Sequence, residues 1–221
     1  MNRTVVITGA NRGIGLELTR HYVEQGDRVI CVCRRSSAEL ETIAHQVVSG
    51  IDVSEAEDVA KLGEAVGSQK IDILINNAGI FTSETLENMD FGEIERQFCV
   101  NTVGPLRITW QLLGNLVSGS KVAMITSRMG SMGDNSSGGY YGYRASKAGL
   151  NAIGVSLARD LASQGVAVAL LHPGFVQTRM VKFSGDVTPE QAAQGLAARI
   201  EALTLDNSGT FWHANGDSLP W

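Results

Sequence analysis

The chain has 221 residues, of which 43% are hydrophobic and 19% charged, values typical of a soluble globular protein with one domain over residues 1–221. Its net charge of −5 argues against nucleic acid or an anionic membrane surface as the main partner. No apolar run approaches the roughly 18 residues that a membrane-spanning helix needs, and no secretory leader precedes the first strand, so we expect a cytoplasmic protein without a membrane span.

A glycine-rich turn between a strand and a helix opens the chain. The β-branched run Thr4–Thr8 predicts a strand buried on both faces, and helical apolar spacing begins at Leu16. Between them, Gly9 permits a tight turn, Gly13 lets a phosphate approach the backbone, and Gly15 lets the helix pack on the strand. Because a helix N-terminus offers unpaired N–H groups, the turn predicts a pyrophosphate site; a plain tight turn is the alternative.

Two arginines follow the second predicted strand, Asp27–Cys33. In a dinucleotide-binding fold the tip of this strand meets the adenosine ribose, where an acidic residue binds a free 2′-OH and an arginine accommodates a 2′-phosphate. Arg34 lies 19 residues after Gly15, and Arg35 follows it. The pair therefore predicts NADP(H) in preference to NAD(H), with Arg12 as a further cation; solvated loop charge is the alternative.

Polar residues then follow two further strands. A short helix is predicted over 37–46 and a third strand over 47–53, which includes Asp52. Ser54, with glutamate three residues later, predicts a capping box at the start of the next helix. The fourth strand, Ile71–Ile75, runs into Asn76–Gly79, where two amides and two small residues suit backbone contact with a flat ligand.

A long helix is predicted over 89–118 from apolar residues at steps of three and four. Asn101 lies inside it, and a polar residue in the middle of a helix usually faces solvent. Pro105, four residues later, lacks the N–H that would bond the Asn101 carbonyl. The helix can therefore open locally and leave this carbonyl free to bind a water or a side chain.

A serine-ended strand and a tyrosine–lysine pair come next. The fifth strand, Lys121–Ser127, precedes a glycine- and serine-rich loop that forms either a solvent-exposed connection or a wall of a substrate cleft. A helix is predicted over 140–164, and within it Lys147 lies four residues after Tyr143, on the same face. A nearby ammonium favours the phenolate, so we expect the pKa of Tyr143 to fall from its ordinary value near 10.

The last part of the chain contains a sixth strand over Val166–Leu171, a loop over His172–Thr178, a helix with Thr188 as N-cap and Pro189 as its first residue, and a short strand over Thr210–Trp212. The histidines and the three cysteines lack metal-binding spacing, so no metal site is predicted.

Five of these features, in this order, resemble the classical short-chain dehydrogenase/reductase family. They are the Thr8–Gly15 turn, Asn76–Gly79, Ser127, the Tyr143–Lys147 pair and Pro173–Thr178. The insert 128–139 and the ending 216–221 are similar to the subgroup that contains C-factor-type signalling proteins and sniffer-type carbonyl reductases. The resemblance covers essentially the whole chain.

The resemblance implies a Rossmann-type α/β fold, a doubly wound αβα sandwich around a seven-stranded, mainly parallel sheet. It also implies hydride transfer between NADP(H) and a carbonyl compound (aldehyde, ketone or quinone), with Tyr143 as general acid. Lys147 would lower the phenol pKa and hold the nicotinamide ribose, Ser127 would bind the substrate oxygen, and Asn101 would hold a water through its main chain. The implied cofactor-contacting residues are Gly9, Asn11, Arg12, Gly13, Ile14, Gly15, Arg34, Asp52, Val53, Asn77, Ala78, Gly79, Tyr143, Lys147, Pro173, Gly174, Val176 and Thr178.

Two departures from the family pattern bear on the substrate. Ser127 and Tyr143 are 16 residues apart, a few more than the family usually has, which leaves Ser131 as a lesser candidate for the serine role. Few residues separate Thr178 from Thr188, so we expect an open cleft that accepts small or medium carbonyl compounds of many kinds.

Function and assembly each keep an alternative. A C-factor-type signalling or regulatory protein that binds NAD(P) with little turnover is the other functional interpretation. A homodimer or homotetramer is expected because relatives often pair through the helices that contain Asn101 and Tyr143. Small residues on the second of these helices permit close approach, although they can instead pack on the sheet; they are Ala145, Ala148, Gly149, Ala152 and Gly154.

Overall fold

A seven-stranded parallel sheet forms the centre of the protein, whose computed structural model describes residues 3–221. The strand order is β3-β2-β1-β4-β5-β6-β7. The strands are β1 (Thr4–Thr8), β2 (Arg28–Val32), β3 (Gln46–Val48), β4 (Ile71–Asn76), β5 (Leu116–Ile125), β6 (Ala167–His172) and β7 (Phe211–His213). This order confirms the predicted doubly wound Rossmann-type α/β fold.

Helices cover both faces of the sheet. They are α1 (Gly13–Glu24), α2 (Ala38–Ile43), α3 (Ala56–Val66), α4 (Phe91–Phe98), α5 (Gly104–Gln111), α6 (Tyr141–Ala162) and α7 (Pro189–Glu201). Apolar residues of α1, α2 and α7 share one core cluster, and those of α3, α5 and α6 share the other. The result is the predicted three-layer αβα sandwich.

The strands are apolar on both faces because each face is covered. In β1, Val5 and Ile7 belong to one cluster and Val6 to the other, and all three are fully buried. Burying such a side chain contributes roughly 1.5–3 kcal/mol. The sheet order reverses between β1 and β4, so the loops after these strands diverge and leave a crevice at the carboxyl ends of the strands.

The prediction of one helix over 89–118 is wrong at its carboxyl end. It stops at Gln111, a 3₁₀ turn covers Leu113–Asn115, and β5 begins at Leu116. Leu116 pairs with Ile71 of β4 and is 7% exposed. Apolar residues in this stretch fit the periods of both a helix and a strand, and pairing within the sheet decides between them.

Two local predictions near residue 50 are also wrong. The third strand is shorter than expected: it ends at Val48, and Gly50 takes φ +80°, although Gly50 N and Ile51 N still donate to main-chain carbonyls just after β2. The predicted capping box at Ser54 does not form: its hydroxyl donates to Asp52 at 2.7 Å, and Glu55 is the N-cap of α3 without a side-chain bond. By contrast, Thr188 caps α7 as predicted and forms a capping box with Gln191.

All three cysteines are free thiols. Cys31 and Cys33 are buried in and after β2, where burial raises the pKa of Cys31 to about 11, and Cys99 is exposed. Within residues 3–221, no helix combines the length and the apolar character needed to cross a membrane.

Candidate active site

The glycine-rich turn between β1 and α1 forms one side of the crevice. Gly9 has φ +67° and donates its N–H to the Val32 carbonyl at 2.8 Å, which fixes the turn against β2. A Cβ on Gly15 would lie 2.3 Å from the Gly9 carbonyl oxygen, so only glycine lets α1 start this close to the loop. Gly13, the first residue of α1, has φ +55°, and Ile14 packs partly buried against the core.

Residues after β2 join this turn at one edge of the crevice. The Asn11 side-chain amide donates to the Arg35 carbonyl at 2.8 Å, and Arg12 is the exposed N-cap of α1. Arg34 lies 3.5 Å from the Asp52 carboxylate. Partial burial raises the pKa of Asp52, but hydrogen bonds from Ser54 and the nearby guanidinium outweigh burial and hold that pKa below its ordinary value.

Ser36 is a residue that the sequence reasoning missed. Its hydroxyl oxygen is shielded from solvent and has no hydrogen-bond partner among residues 3–221. An unpaired buried hydroxyl is costly unless a ligand satisfies it. It directly follows Arg34 and Arg35 in the sequence, and hydroxyl and guanidinium groups are donors that suit a phosphate group. The signal was present as a serine directly after the arginine pair.

The turn after β4 braces the glycine turn. The Asn77 side chain donates to the carbonyls of Thr8 and Gly9, at 3.0 and 3.2 Å, and the Thr8 hydroxyl accepts the N–H groups of Asn77 and Ala78. The Asn77 side chain therefore holds the two loops together. Val53 is buried, and its carbonyl accepts a hydrogen bond from Arg107 at 3.2 Å.

Asn101 lies in a π-helical turn, Cys99–Val103, between α4 and α5. The i→i+5 bond from the Gly104 N–H to the Cys99 carbonyl widens the helix just before Pro105, as the missing proline donor predicts. Asn101 is fully buried, although a polar residue in the middle of a helix usually faces solvent. Its side chain accepts from Ile80 N and donates to Ile80 O, both at 2.9 Å, and donates to the Ser146 hydroxyl at 3.0 Å.

Ser127, Tyr143 and Lys147 meet at the carboxyl end of β5. The Ser127 hydroxyl caps a 3₁₀ turn by accepting from Met129 N at 3.1 Å, and it lies near enough to the Tyr143 phenol to lower the pKa of that group. The Lys147 ammonium lies 5.8 Å from the centre of the Tyr143 ring and donates to the Ile125 carbonyl at 2.8 Å. Ser131, the lesser candidate, instead accepts from Asp134 N within its loop.

The electrostatics of this group differ from the expectation. Burial raises the pKa of Tyr143 to about 12, and the nearby Ser127 hydroxyl offsets this only in part. Burial lowers the pKa of Lys147 to about 8. Lys147 does not depress the phenol pKa in this structure, because its ammonium is bonded to Ile125 and desolvation dominates both groups. The phenol therefore keeps its proton at neutral pH and can donate it.

The loop after β6 approaches the glycine turn from the opposite side. Following Pro173, Gly174 has φ +92° and Val176 pairs with Val187, which draws the short segment between them back on itself. The Thr178 methyl group lies 3.4 Å from where a Cβ of Gly13 would be. This loop thus reaches across the crevice, with exposed apolar side chains at Met180 and Phe183.

His172 and His213 stack edge to face at the end of β6, with ring centroids 4.9 Å apart. Burial, with smaller effects from His213 and Arg128, lowers the pKa of His172 to about 3. Its ring is therefore neutral at physiological pH.

Comparison with known proteins shows which family the chain resembles. The family model described as short chain dehydrogenase matches residues 3–189. A 1-hydroxy-2-glutathionyl-2-methyl-3-butene dehydrogenase of Rhodococcus sp. (strain AD45) is 40% identical over 99% of this chain and 99% of its own length. C-signal of Myxococcus xanthus is 40% identical over 68% of this chain and 93% of its own length.

A solved structure agrees with these relatives. The NADPH-bound carbonyl reductase from chicken fatty liver superposes with a TM-score of 0.90 at 27% identity, covering 100% of this chain and 99% of the other. The predicted resemblance to C-factor-type proteins and carbonyl reductases is thereby confirmed.

Proposed function

Since the chain belongs to the short-chain dehydrogenase/reductase family, we propose that it reduces an aldehyde, ketone or quinone to an alcohol with NADPH. The observation that carries this proposal is the convergence of Ser127, Tyr143 and Lys147 at the mouth of the crevice that the glycine turn closes. A proton donor, an oxygen-binding hydroxyl and a cation lie there at the carboxyl ends of parallel strands, where this fold binds ligands.

The preference for NADPH over NADH is supported by the group after β2. Arg34 and Arg35 supply positive charge, and the unpaired Ser36 hydroxyl supplies a further donor, as a 2′-phosphate requires. Gly9 and Gly13 take positive φ and carry no side chain, so the main chain can approach a ligand at these two positions, which supports pyrophosphate binding at the start of α1.

Each side chain has one part in the proposed reaction. The bound nicotinamide supplies the hydride. Ser127 binds the substrate carbonyl oxygen, and Tyr143 transfers its phenolic proton to that oxygen as it becomes an alkoxide. Lys147 holds the nicotinamide ribose, and the Asn101 main chain holds a water that returns the proton.

The experiment is NADPH oxidation by purified protein with a panel of aldehydes, ketones and quinones, to which glutathione-conjugated aldehydes are added because of the Rhodococcus relative. We expect turnover with at least one class. The reductase proposal fails if the protein binds NADPH tightly but turns over no compound of the panel faster than the Tyr143→Phe variant does.

C-signal favours a second candidate, a signalling protein with little physiological turnover. The two candidates differ in what Tyr143 is needed for. If the gene is deleted and the phenotype is restored by Tyr143→Phe as well as by the wild type, signalling is the selected role. If only the wild type restores it, catalysis is.

We also propose a cytoplasmic homo-oligomer. The buried free thiols of Cys31 and Cys33 support a reducing compartment. Phe91 and Trp110, on α4 and α5, are 72% and 71% exposed, which supports contact with a second copy. Of the small residues on α6, Gly149 packs on Phe98, and Gly154 packs on Leu170 of the sheet. Sedimentation of wild type and Trp110→Glu tests the assembly; a wild-type monomer at all concentrations would contradict it.

A further inference from the structure

The helix that contains Tyr143 begins without a cap of its own. Tyr140, the N-cap of α6, is in the left-handed conformation with φ 54° and ψ 41°, and its side chain makes no cap hydrogen bond. The first N–H groups of a helix have no partner within the helix, and a bulky residue at positive φ is strained. The start of α6 therefore depends on contacts from elsewhere in the chain.

Glu84 supplies those contacts from the loop after β4. Its carboxylate accepts from Gly142 N at 3.1 Å, and its main-chain carbonyl accepts from Tyr140 N at 2.9 Å. A carboxylate at a helix N-terminus is favoured by the helix dipole and by the charge-assisted bond. Glu84 is thus a cap for α6 that lies more than fifty residues before it in the sequence.

The carboxylate is itself held rigidly. Glu84 is 3% exposed, and its second oxygen accepts from Gln97 Nε2 at 3.1 Å and from the Thr82 hydroxyl. The Gln97 side chain also accepts from Thr82 N at 3.0 Å. These hydrogen bonds from Gln97 and Thr82 hold the buried carboxylate in the conformation that accepts from Gly142 N.

The same loop contacts the reacting group directly. Phe81, three residues before Glu84, meets the Tyr143 ring edge to face with centroids 4.9 Å apart and also packs on Tyr140 at 5.6 Å. The main chain of Ile80 donates one hydrogen bond to the Asn101 side chain and accepts another from it. Residues 80–84 therefore connect the first turn of α6 with the π-helical turn.

Space at this contact is minimal. A Cβ on Gly142 would lie 2.4 Å from Gln97 Nε2 and 3.0 Å from Ile94 Cα. The first turn of α6 is consequently pressed against α4, with the carboxylate of Glu84 bonded to both. A shift of this turn would move Tyr143, the next residue, relative to Ser127.

We propose that Glu84 is a positioning residue for the reaction: by capping α6 at Gly142 it sets where the Tyr143 hydroxyl lies relative to Ser127. The inference rests on the proposed reductase function for its kinetic part only. Glu84 does not touch substrate or cofactor. It acts through the helix start, so its loss changes the chemical step more than it changes binding of NADPH.

The experiment compares Glu84→Ala, Glu84→Gln and the control Glu87→Ala, which removes an exposed carboxylate from the same loop. The glutamine keeps an oxygen that accepts from Gly142 N, whereas alanine leaves this N–H unpaired. We expect Glu84→Ala to lower kcat by about ten- to hundredfold, as misplacement of a reacting group does, with the NADPH Kd within about twofold. Glu84→Gln is expected to recover most of kcat, and Glu87→Ala to match the wild type.

Hydrogen–deuterium exchange separates this proposal from the proposed function. Glu84→Ala should speed exchange at the amides of 141–144 and leave the far end of α6 protected, while Glu84→Gln and Glu87→Ala should not. Unchanged exchange there, or a fall in melting temperature with kcat retained, overturns the positioning role. If the wild type turns over no carbonyl, the reductase function fails, and the exchange result alone then decides whether Glu84 fixes the helix start.

Discussion

Replacing Arg34 with alanine tests the basis of cofactor choice. The guanidinium is 54% exposed and 3.5 Å from Asp52, so solvent and a competing carboxylate both weaken its attraction for a 2′-phosphate. A charge-assisted hydrogen bond contributes about 1.5–3 kcal/mol, and the exposed setting places Arg34 at the lower end. We therefore expect the Kd for NADPH to rise about tenfold and the Kd for NADH to change by less than about threefold.

The assay is titration of both dinucleotides at one fixed ionic strength, since charge contacts at the surface depend on salt. Arg28→Ala is the matched control, because Arg28 lies at the opposite end of the same strand and its guanidinium bonds Gln46. An equal loss of affinity for NADPH and NADH would refute the 2′-phosphate role of Arg34. So would a weakening of NADPH binding in Arg28→Ala as large as that in Arg34→Ala.

Two further predictions follow from Lys147 and from Gly142. Burial lowers the pKa of Lys147 to about 8, so its ammonium is present below this pH and is lost above it. NADPH binding by the wild type should therefore weaken as the pH rises through about 8, whereas Lys147→Met should bind NADPH weakly at every pH. A wild-type Kd for NADPH that stays constant from neutral to alkaline pH contradicts this role. Gly142→Ala places a Cβ 2.4 Å from Gln97 Nε2 and should lower the free energy of unfolding by about 1–3 kcal/mol, with a fall in Tm of about 2–4 °C per kcal/mol. Gly114→Ala, whose Cβ would have no atom within 4 Å, should leave Tm unchanged. Equal Tm values for the two variants would show that α4 moves aside easily.

The fold and the main site positions were predictable because their signals are local. A β-branched run followed by glycines determines both a buried strand and a turn with no room for a Cβ at its tightest positions, as at Gly9 and Gly15. The lysine four residues after Tyr143 places both side chains on one helix face whatever surrounds them. Pro105 likewise predicts a helix defect from its missing N–H alone, and the π-helical turn lies directly before it.

What the sequence did not predict depends on contacts between distant segments. Asn101 is buried because Ile80 and Ser146 satisfy its amide, and Glu84 is buried because Gly142, Gln97 and Thr82 converge on it. The pKa of Tyr143 is raised where a lysine at this spacing predicts a decrease, because spacing does not reveal burial or the bond that Lys147 makes to Ile125. Similarly, only pairing with β4 shows that Leu116 begins a strand.

The central claim is that the Tyr143 hydroxyl donates the proton during carbonyl reduction. Tyr143→Phe keeps the ring packed on Phe81 and removes only this hydroxyl, and Tyr141→Phe is the control, since Tyr141 is 40% exposed at the start of the same helix. We expect Tyr143→Phe to lower kcat by about 10²–10⁴-fold with the Kd for NADPH within about twofold, and Tyr141→Phe to match the wild type. A Tyr143→Phe protein that reduces the same carbonyl at the wild-type rate would contradict the account.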